Sequence, residues 1–251
     1  MILSSATKKP RIHESAYVAP SAVVSGDVTI DAECAILHGA VITAEGAPLE
    51  IGASTVIMEN AVLKSSGGEA LRFPLKIGKG CLIGPHAYIV GAEIGDGCFI
   101  ATGAKIFNGA VLGGDSSVSL AGIVHVKARL PNGSRVPIEH IALGDPATIY
   151  PPERASDVQD KLHFSRDVFN LEDGGVAGTK IAETYAKFLR KIHAQDTSLD
   201  EPKRAPKPPS APEPPPKPIP EVEGVDSAMM VELQEMEHRR QEALRKQREH
   251  Q

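Results

Sequence analysis

The chain has 251 residues, a formal net charge of -5 and 24% charged residues, a length that suits one or two domains. Aromatic residues make up only 4% of the chain and tryptophan is absent, so a core must consist of small and branched side chains. Basic residues form no long run in the first 200 positions, which argues against nucleic-acid binding. No apolar stretch is long enough for a transmembrane helix. The first residues lack a signal-peptide core, so we expect a cytoplasmic protein.

From residue 18 onward, branched aliphatic residues recur every six positions. An α-helix has an apolar period of 3.6 residues and a strand one of two, so a period of six predicts a short strand plus a corner, repeated. The branched residues, called anchors here, are Val18, Val24, Ile30, Ile36, Ile42, Ile51, Ile57, Leu63, Ile77, Ile83, Ile89, Ile94, Ile100, Ile106, Leu112, Val118, Val124 and Leu130.

Four positions after most anchors stands a small residue, which would let the chain turn. Cys34, Cys81 and Cys98 all lie in this column, and we interpret them as buried small apolar residues. Their odd number also argues against a disulfide framework. The aromatics of the repeat stand one residue from an anchor and are expected to point outward: Tyr17, Tyr88, Phe99 and Phe107.

Two insertions interrupt the repeat. Residues 46–48 lengthen one coil by three positions, and residues 64–76 are expected to form a loop that leaves the coil. Such a loop could carry function or be a tolerated surface insertion.

The organisation predicted from the sequence has five parts. Residues 1–11 are an N-terminal extension, 12–150 the repeat, and 151–197 a helical segment that packs on the coil, with helices expected over 154–170 and 176–195. Residues 198–223 hold ten prolines and predict a disordered linker. Residues 224–251 predict a charged helical tail.

Three segments resemble the gamma-class carbonic anhydrases of the hexapeptide-repeat, trimeric LpxA-like superfamily. They are GDVTID at 26–31, IGASTVIMENAVLK at 51–64 and IGKGCLIGPHAYIVG at 77–91, and a GDPA ending follows at 144–147. The resemblance covers about residues 10–195. It implies a mainly β fold, a left-handed parallel β-helix followed by C-terminal α-helices, and a homotrimer.

In that family three histidines from two subunits bind zinc, which activates a water molecule for attack on carbon dioxide. The resemblance places these histidines at Lys64, Pro85 and Val90. Proline and valine side chains cannot ligate a metal and an ammonium group repels one, so neither zinc nor another cofactor is expected. Other conserved features of the metal site fall near Glu45 and at Met58-Glu59, where the family residues are also missing.

The residues expected in the intersubunit groove are Lys64, Glu45, Glu59, Pro85, His86 and Val90. Lys64 could replace the metal's charge by pairing with Glu45 or Glu59, or could simply be a solvated lysine. His86 could be an exposed or interfacial histidine, a catalytic base or a metal ligand.

These observations favour a non-catalytic homotrimer that serves as a scaffold or assembly subunit, a pseudoenzyme with a protein partner for residues 198–251. One alternative is a hexapeptide acyltransferase that uses a CoA thioester and His86 as base. Another is a divergent gamma-type carbonic anhydrase with a rebuilt site. The missing metal ligands favour the absence of catalysis.

Overall fold

The structure is a computed structural model and describes residues 1–4, 8–67, 71–159, 161, 164–169, 178–194 and 196–199. Short strands follow one another along most of this part of the chain, and a few helices come after them. The predicted fold class, a parallel β-helix followed by C-terminal helices, is confirmed.

The described residues form 25 strands, most of them two or three residues long. In chain order they are β1 (Ile2–Ser4), β2 (Arg11–Ile12), β3 (Tyr17–Val18), β4 (Val23–Ser25), β5 (Val28–Ile30), β6 (Ala35–Ile36), β7 (Val41–Ala44), β8 (Leu49–Ile51), β9 (Val56–Ile57), β10 (Val62–Gly67), β11 (Arg72–Phe73), β12 (Leu75–Ile77), β13 (Leu82–Ile83), β14 (Tyr88–Val90), β15 (Glu93–Ile94), β16 (Phe99–Ile100), β17 (Lys105–Ile106), β18 (Val111–Leu112), β19 (Ser117–Val118), β20 (Ile123–Val124), β21 (Arg129–Leu130), β22 (Arg135–Val136), β23 (Ile141–Leu143), β24 (Thr148–Tyr150) and β25 (Thr197–Leu199).

Strands of the coil fall into three sheets, and each sheet takes about every third strand of the chain. The first sheet runs β24-β23-β20-β17-β14-β10-β7-β4-β1-β25, the second β2-β5-β8-β12-β15-β18-β21, and the third β22-β19-β16-β13-β9-β6-β3. Ile94 pairs with Leu112 and Leu112 with Leu130, so three six-residue repeats make one coil.

The insertions appear as longer steps between paired anchors. Ile30 pairs with Ile51, a step three residues longer than the regular coil, as expected for the insertion at 46–48. Ile51 pairs with Ile77 across the larger insertion, and Ile77 pairs with Ile94 across one residue fewer than the regular step.

The anchors fill the interior. From Val24 to Leu130 every anchor is at most 5% exposed, and burial of such a side chain contributes about 1.5–3 kcal/mol before conformational entropy is subtracted. The aromatic prediction is also confirmed. Tyr17 and Phe99 are about half exposed, whereas Tyr88 and Phe107 are half-buried on the outside with their ring centroids 6.3 Å apart.

At the corner between the second and third sheets, the small residues carry hydrogen-bond donors. Each donates to a backbone carbonyl of the next coil: Cys34 Sγ to Gly52, Thr55 Oγ1 to Gly78, Cys81 Sγ to Gly95, Cys98 Sγ to Gly113 and Ser116 Oγ to Pro131, over 2.9–3.3 Å. We call these five residues the donor ladder. The cysteines are buried, as predicted, but they are also donors, which the prediction of purely apolar packing missed.

The prediction of a loop over 64–76 is wrong for its described part, which forms a hairpin. Strand β10 continues past the coil and pairs antiparallel with β11, Ser66 opposite Phe73. Phe73 is buried and lies so close to Gly91 that a Cβ there would come within 2.4 Å of the Phe73 Cβ. Asn108 Nδ2 donates to Ser66 Oγ over 2.6 Å. The hairpin therefore folds back on the coil.

Both ends of the coil carry strands beyond the six-residue repeat. Residues 1–11, predicted as an extension, include β1, which pairs parallel with β4 and antiparallel with β25. Strand β25 also takes the first two residues of the predicted linker. At the other end β23 and β24 form an antiparallel pair. The rest of the predicted linker and the charged tail lie outside the described residues.

After the coil come a 3₁₀ turn at Pro152–Arg154 and three helices, α1 (Ala155–Gln159), α2 (Phe164–Phe169) and α3 (Gly178–His193). Pro151 and Pro152 stop the strands, since proline lacks the backbone N–H that a strand would donate. None of the helices in the described ranges is long and apolar enough to cross a membrane.

Candidate functional site

Two of the three positions implied by the resemblance are neighbours on the first sheet. Lys64 in β10 pairs with Val90 in β14 on one side and with Thr43 in β7 on the other. Pro85 instead lies in the turn between β13 and β14, at the corner between the third and first sheets. One chain therefore brings Lys64 and Val90 together and places Pro85 elsewhere.

Lys64 forms an ion pair with Glu45. Its Nζ lies 3.0 Å from Glu45 Oε1, and the two side chains are 23% and 9% exposed. Burial alone lowers the pKa of Lys64, but the hydrogen bond and charge of Glu45 outweigh that effect and raise the pKa above its ordinary value. Of the two acids considered from the sequence, Glu45 is the partner within the chain. Glu59 is half-buried one coil corner away, where its carbonyl accepts from the His86 N–H.

Helix α3 adds further groups around Glu45. The Tyr185 hydroxyl donates to Glu45 Oε2 over 3.3 Å, and His193 Nε2 lies 4.0 Å from Glu45 Oε1. His193 Nδ1 lies 2.7 Å from Asp196 Oδ2. We call Glu45, Lys64, Tyr185, His193 and Asp196 the Glu45 cluster.

Burial and the charge of the Glu45 carboxylate change the pKa of a neighbouring group in this cluster. Burial first, and then the charge of Glu45, raise the pKa of Tyr185, so its hydroxyl stays protonated and can donate. The backbone fixes Glu45 as well, because its N–H donates to Ser65 Oγ over 3.1 Å. Ser65 in turn donates to the Ala47 carbonyl. The carboxylate is thus held from the coil side and from the α3 side.

The side chains at the family's metal positions do not fit zinc. Valine and proline offer no donor atom, and Lys64 is a cation already paired with Glu45, whereas zinc sites use histidine, cysteine and carboxylate ligands. Among the described residues, no three such side chains are placed to hold a metal ion. The side chains at these three positions therefore do not support the zinc chemistry of the family.

Within the described ranges, the histidines of the coil are not grouped in one site. His86 is exposed at its corner with a φ of 56°, and within the described ranges no hydrogen bond to its imidazole is seen. Three other histidines have local neighbours: Ser21 Oγ for His38 at 2.8 Å, the Phe107 ring for His125 at 5.9 Å, and the Ile138 carbonyl for His140 at 2.7 Å.

The three outer faces of the coil differ in polarity. On the second sheet the outward residues that precede the anchors are mostly charged: Arg11, Thr29, Glu50, Lys76, Glu93, Val111 and Arg129. We call this the charged face. On the first sheet the corresponding residues are mostly apolar: Val23, Val41, Val62, Tyr88, Lys105, Ile123 and Ile141.

The third sheet resembles the first. Its outward residues are Tyr17, Ala35, Val56, Leu82, Phe99, Ser117 and Arg135. The corner between these two sheets adds Leu120 and Ile138, which are 50% and 56% exposed. We call the outer sides of the first and third sheets, with this corner, the apolar faces. In soluble proteins, large exposed apolar patches are typical of surfaces that contact another protein.

Comparison with known proteins agrees with this architecture. The family model described as hexapeptide repeat of succinyl-transferase matches residues 74–112. A carbonic anhydrase of Geobacillus kaustophilus is 28% identical over 200 residues, 79% of this chain and 96% of its own length. The mitochondrial gamma carbonic anhydrase 2 of Arabidopsis thaliana is 30% identical over 130 residues, 50% of this chain. The carboxysome assembly protein CcmM of a Nostoc strain is 33% identical over 135 residues, 51% of this chain and 24% of its own length.

The chain thus contains a β-helix of six-residue repeats. Among proteins with such a coil it is similar to the gamma-class carbonic anhydrases, as the motifs between residues 26 and 91 predicted. The match spans about half the length of the Arabidopsis relative, 46%.

Sequence reasoning found Lys64 and Glu45 but missed Tyr185, His193 and Asp196. The sequence predicts the helix that carries Tyr185 but not its contact with Glu45, because 140 positions separate the two residues. A weak signal was present, because Tyr185 and His193 lie eight residues apart and so share one side of a helix.

Proposed function

We propose that the chain is a non-catalytic, carbonic-anhydrase-like homotrimer that serves as a scaffold or assembly subunit. The observation that carries this proposal is the Lys64–Glu45 pair. At the position where the family places its first zinc ligand, this chain has a cation with its own buried counterion. In this proposal the Lys64 ammonium group replaces the positive charge of the metal, and the position no longer offers a side chain that could ligate one.

A direct test is the metal content of the purified full chain together with its carbon dioxide hydration rate. We expect less than about 0.1 zinc per chain and no rate above the uncatalysed one. Stoichiometric zinc with hydration activity would overturn the proposal and favour a divergent gamma-type carbonic anhydrase.

The apolar faces support self-association. Large exposed hydrophobic residues are concentrated there, while the charged face suits solvent. In a homotrimer the apolar faces would contact neighbouring copies. Pro85 lies at a corner and Lys64 on a sheet of the same chain, so a groove that contains both positions would have to be formed by two subunits.

Multi-angle light scattering tests this assembly. Three chains of 26.6 kDa give about 80 kDa. We expect Phe99→Glu on the apolar faces to shift the mass toward that of one chain, because burial of an unpaired charge is costly. The matched control Val111→Glu, on the charged face, should keep the trimer. An unchanged mass for Phe99→Glu, or a wild-type monomer, would contradict the proposal.

The assembly role itself rests on two further points. One relative carries the name of a carboxysome assembly protein, and residues 198–251 give this chain a proline-rich and then charged segment. Three such segments on one trimer would increase avidity for a partner. A pull-down with the full chain and with a chain ending at residue 199 tests this role, and equal capture by both would contradict it.

The acyltransferase alternative is favoured by one observation. His86 is exposed and lies inside the segment that matches the succinyl-transferase repeat. In this alternative His86 acts as general base toward an acceptor, with a CoA thioester as acyl donor. Saturable CoA-thioester turnover that His86→Ala abolishes, with His38→Ala as control, would support it over the scaffold.

A further inference from the structure

Helix α3 contacts the coil without full burial of its described side chains. None of its described side chains is buried: Tyr185, Phe188, Leu189 and His193 are half-buried, and Ala182, Glu183, Ala186, Lys187, Arg190 and Lys191 are exposed. A helix of this length draws most of its stability from packing, so the contacts of these side chains with the coil help to set its position.

Those contacts meet at Glu45. Tyr185 donates to the carboxylate and His193 lies 4.0 Å from it. Next to Glu45, a Cβ on Gly46 would lie 3.5 Å from Phe188 Cζ, so the helix approaches the backbone closely. Only 9% of the Glu45 side chain is exposed to solvent. Among the described contacts, the Glu45 carboxylate is therefore the group at which α3 is attached to the coil through polar side chains.

Strand β25 is linked to the same point. It begins four residues after α3 ends, and Asp196, just before it, pairs with His193 at 2.7 Å. The strand then covers the edge of β1, with Ile2 opposite Leu199. His193 thus faces Glu45 with Nε2 and contacts Asp196, the residue before β25, with Nδ1.

We propose that α3 and β25 form a strap that opens and closes as one unit over Glu45 and Lys64, with Glu45 as its fastener. Opening uncovers the Lys64–Glu45 pair and the edge of β1, while the coil stays folded on its buried anchors. Residues 200–251 continue directly from β25, so a partner that holds them acts on the strap. That last consequence rests on the proposed function, and the opening itself does not.

Native-state hydrogen exchange on the full chain, followed by mass spectrometry, tests the strap. In the wild type we expect peptides from 178–193, 197–199 and 1–4 to share one opening rate, faster than that of peptides from 94–142. Glu45→Gln removes the carboxylate charge at nearly constant size. It should speed exchange in all three strap-linked segments by a common factor, on the order of tenfold or more, without a change at 94–142.

Glu50→Gln is the matched control, because Glu50 is exposed on the charged face and should change nothing. Tyr185→Phe removes only the hydroxyl that donates to Glu45 and should speed strap exchange on the order of threefold. If Glu45→Gln does not fold, Tyr185→Phe alone tests the proposal.

Three results would overturn the proposal. They are unchanged exchange in α3, faster exchange in α3 without β25 and β1, and an equal acceleration in the coil. None depends on metal content, oligomeric mass or partner capture, so the strap and the proposed function fail separately.

Discussion

The interior of the coil and the strap over Glu45 are stabilised by different interactions. In the coil, anchors such as Ile57 and Ile83 are fully buried, and each contact repeats in the next coil. In the strap, polar contacts to one carboxylate help to position a helix whose described side chains are at most half-buried. Because the contacts of the coil repeat, loss of one polar contact there leaves the others in place, whereas the strap depends on single side chains. The two regions should therefore respond to different mutations.

The largest effect is expected from a cavity in the coil. Ile94 is 3% exposed, so Ile94→Ala should lower the free energy of unfolding by about 2–5 kcal/mol. Denaturant titration measures this change. Glu93→Ala, one position earlier on the charged face, should stay within about 0.5 kcal/mol. Similar losses for both variants would show that the interior does not dominate stability.

The next largest effect is expected from loss of the Lys64–Glu45 ion pair, which lies under the strap. Lys64→Ala leaves Glu45 without its closest cation, at 3.0 Å, and should cost about 1–3 kcal/mol in a thermal melt of the assembled protein. Lys76→Ala, exposed on the charged face, is the control. If Lys64→Ala melts like the wild type, the hypothesis that Lys64 takes over the metal's role is wrong.

A smaller effect is expected at the donor ladder. Cys98→Ala removes the donor to the Gly113 carbonyl and should cost about 0.5–1.5 kcal/mol. Cys98→Ser keeps a donor, as Ser116 does in the next coil, and should be the more stable of the two. A serine variant less stable than the alanine variant would mean that packing of the sulfur outweighs its hydrogen bond.

The smallest effect is a pH dependence near the N-terminal end. The hydrogen bond from Lys8 is the main cause that lowers the pKa of Asp27, and Arg11 assists. A lowered pKa in the folded state stabilises the protein above the ordinary range of aspartate, and this stability is lost as pH falls through the folded-state value, below about pH 4. Lys8 and Arg11 are mostly exposed, so solvent screening limits the contribution to less than about 1 kcal/mol.

Thermal melts of the wild type and Asp27→Asn between pH 7 and pH 3 measure this contribution. The difference in Tm should shrink as the pH falls and also shrink in high salt. A difference that grows toward pH 3 would have the wrong sign for this ion pair.

The coil was predictable because its rule is local. A branched anchor every six residues and a small residue four positions later follow from one repeat, and each residue obeys it without knowledge of distant parts of the chain. Even the donor ladder left a signal, since Cys34, Thr55, Cys81, Cys98 and Ser116 occupy every third position of the small column.

The Glu45 cluster was predictable only where the repeat places it. Lys64 and Glu45 lie in neighbouring coils, so their pairing could be inferred. Tyr185 reaches Glu45 because α3 returns to the coil, and no periodicity reports that path. Likewise β1 pairs with β4 of the coil and, on its other edge, with β25 from far along the chain. The hairpin after Lys64 was missed because its short strands show no clear alternation.

The donor ladder also distinguishes three sides of the coil that the anchors make nearly equivalent. At the corner between the third and first sheets the small residues are mostly alanines, such as Ala40 and Ala104. At the corner between the first and second sheets, alanines such as Ala110 and Ala128 are found in the later coils, and Val28, Leu49 and Leu75 in the earlier ones. Within the uninterrupted run from Ile94 to Leu130, a chain that slipped by six residues during folding would keep the anchors inside. It would, however, bring alanine methyls opposite carbonyls that need donors and leave thiols and hydroxyls at corners without their acceptors. Because each unpaired buried polar group is costly, the donor ladder should destabilise coils whose register has slipped and so favour the native register.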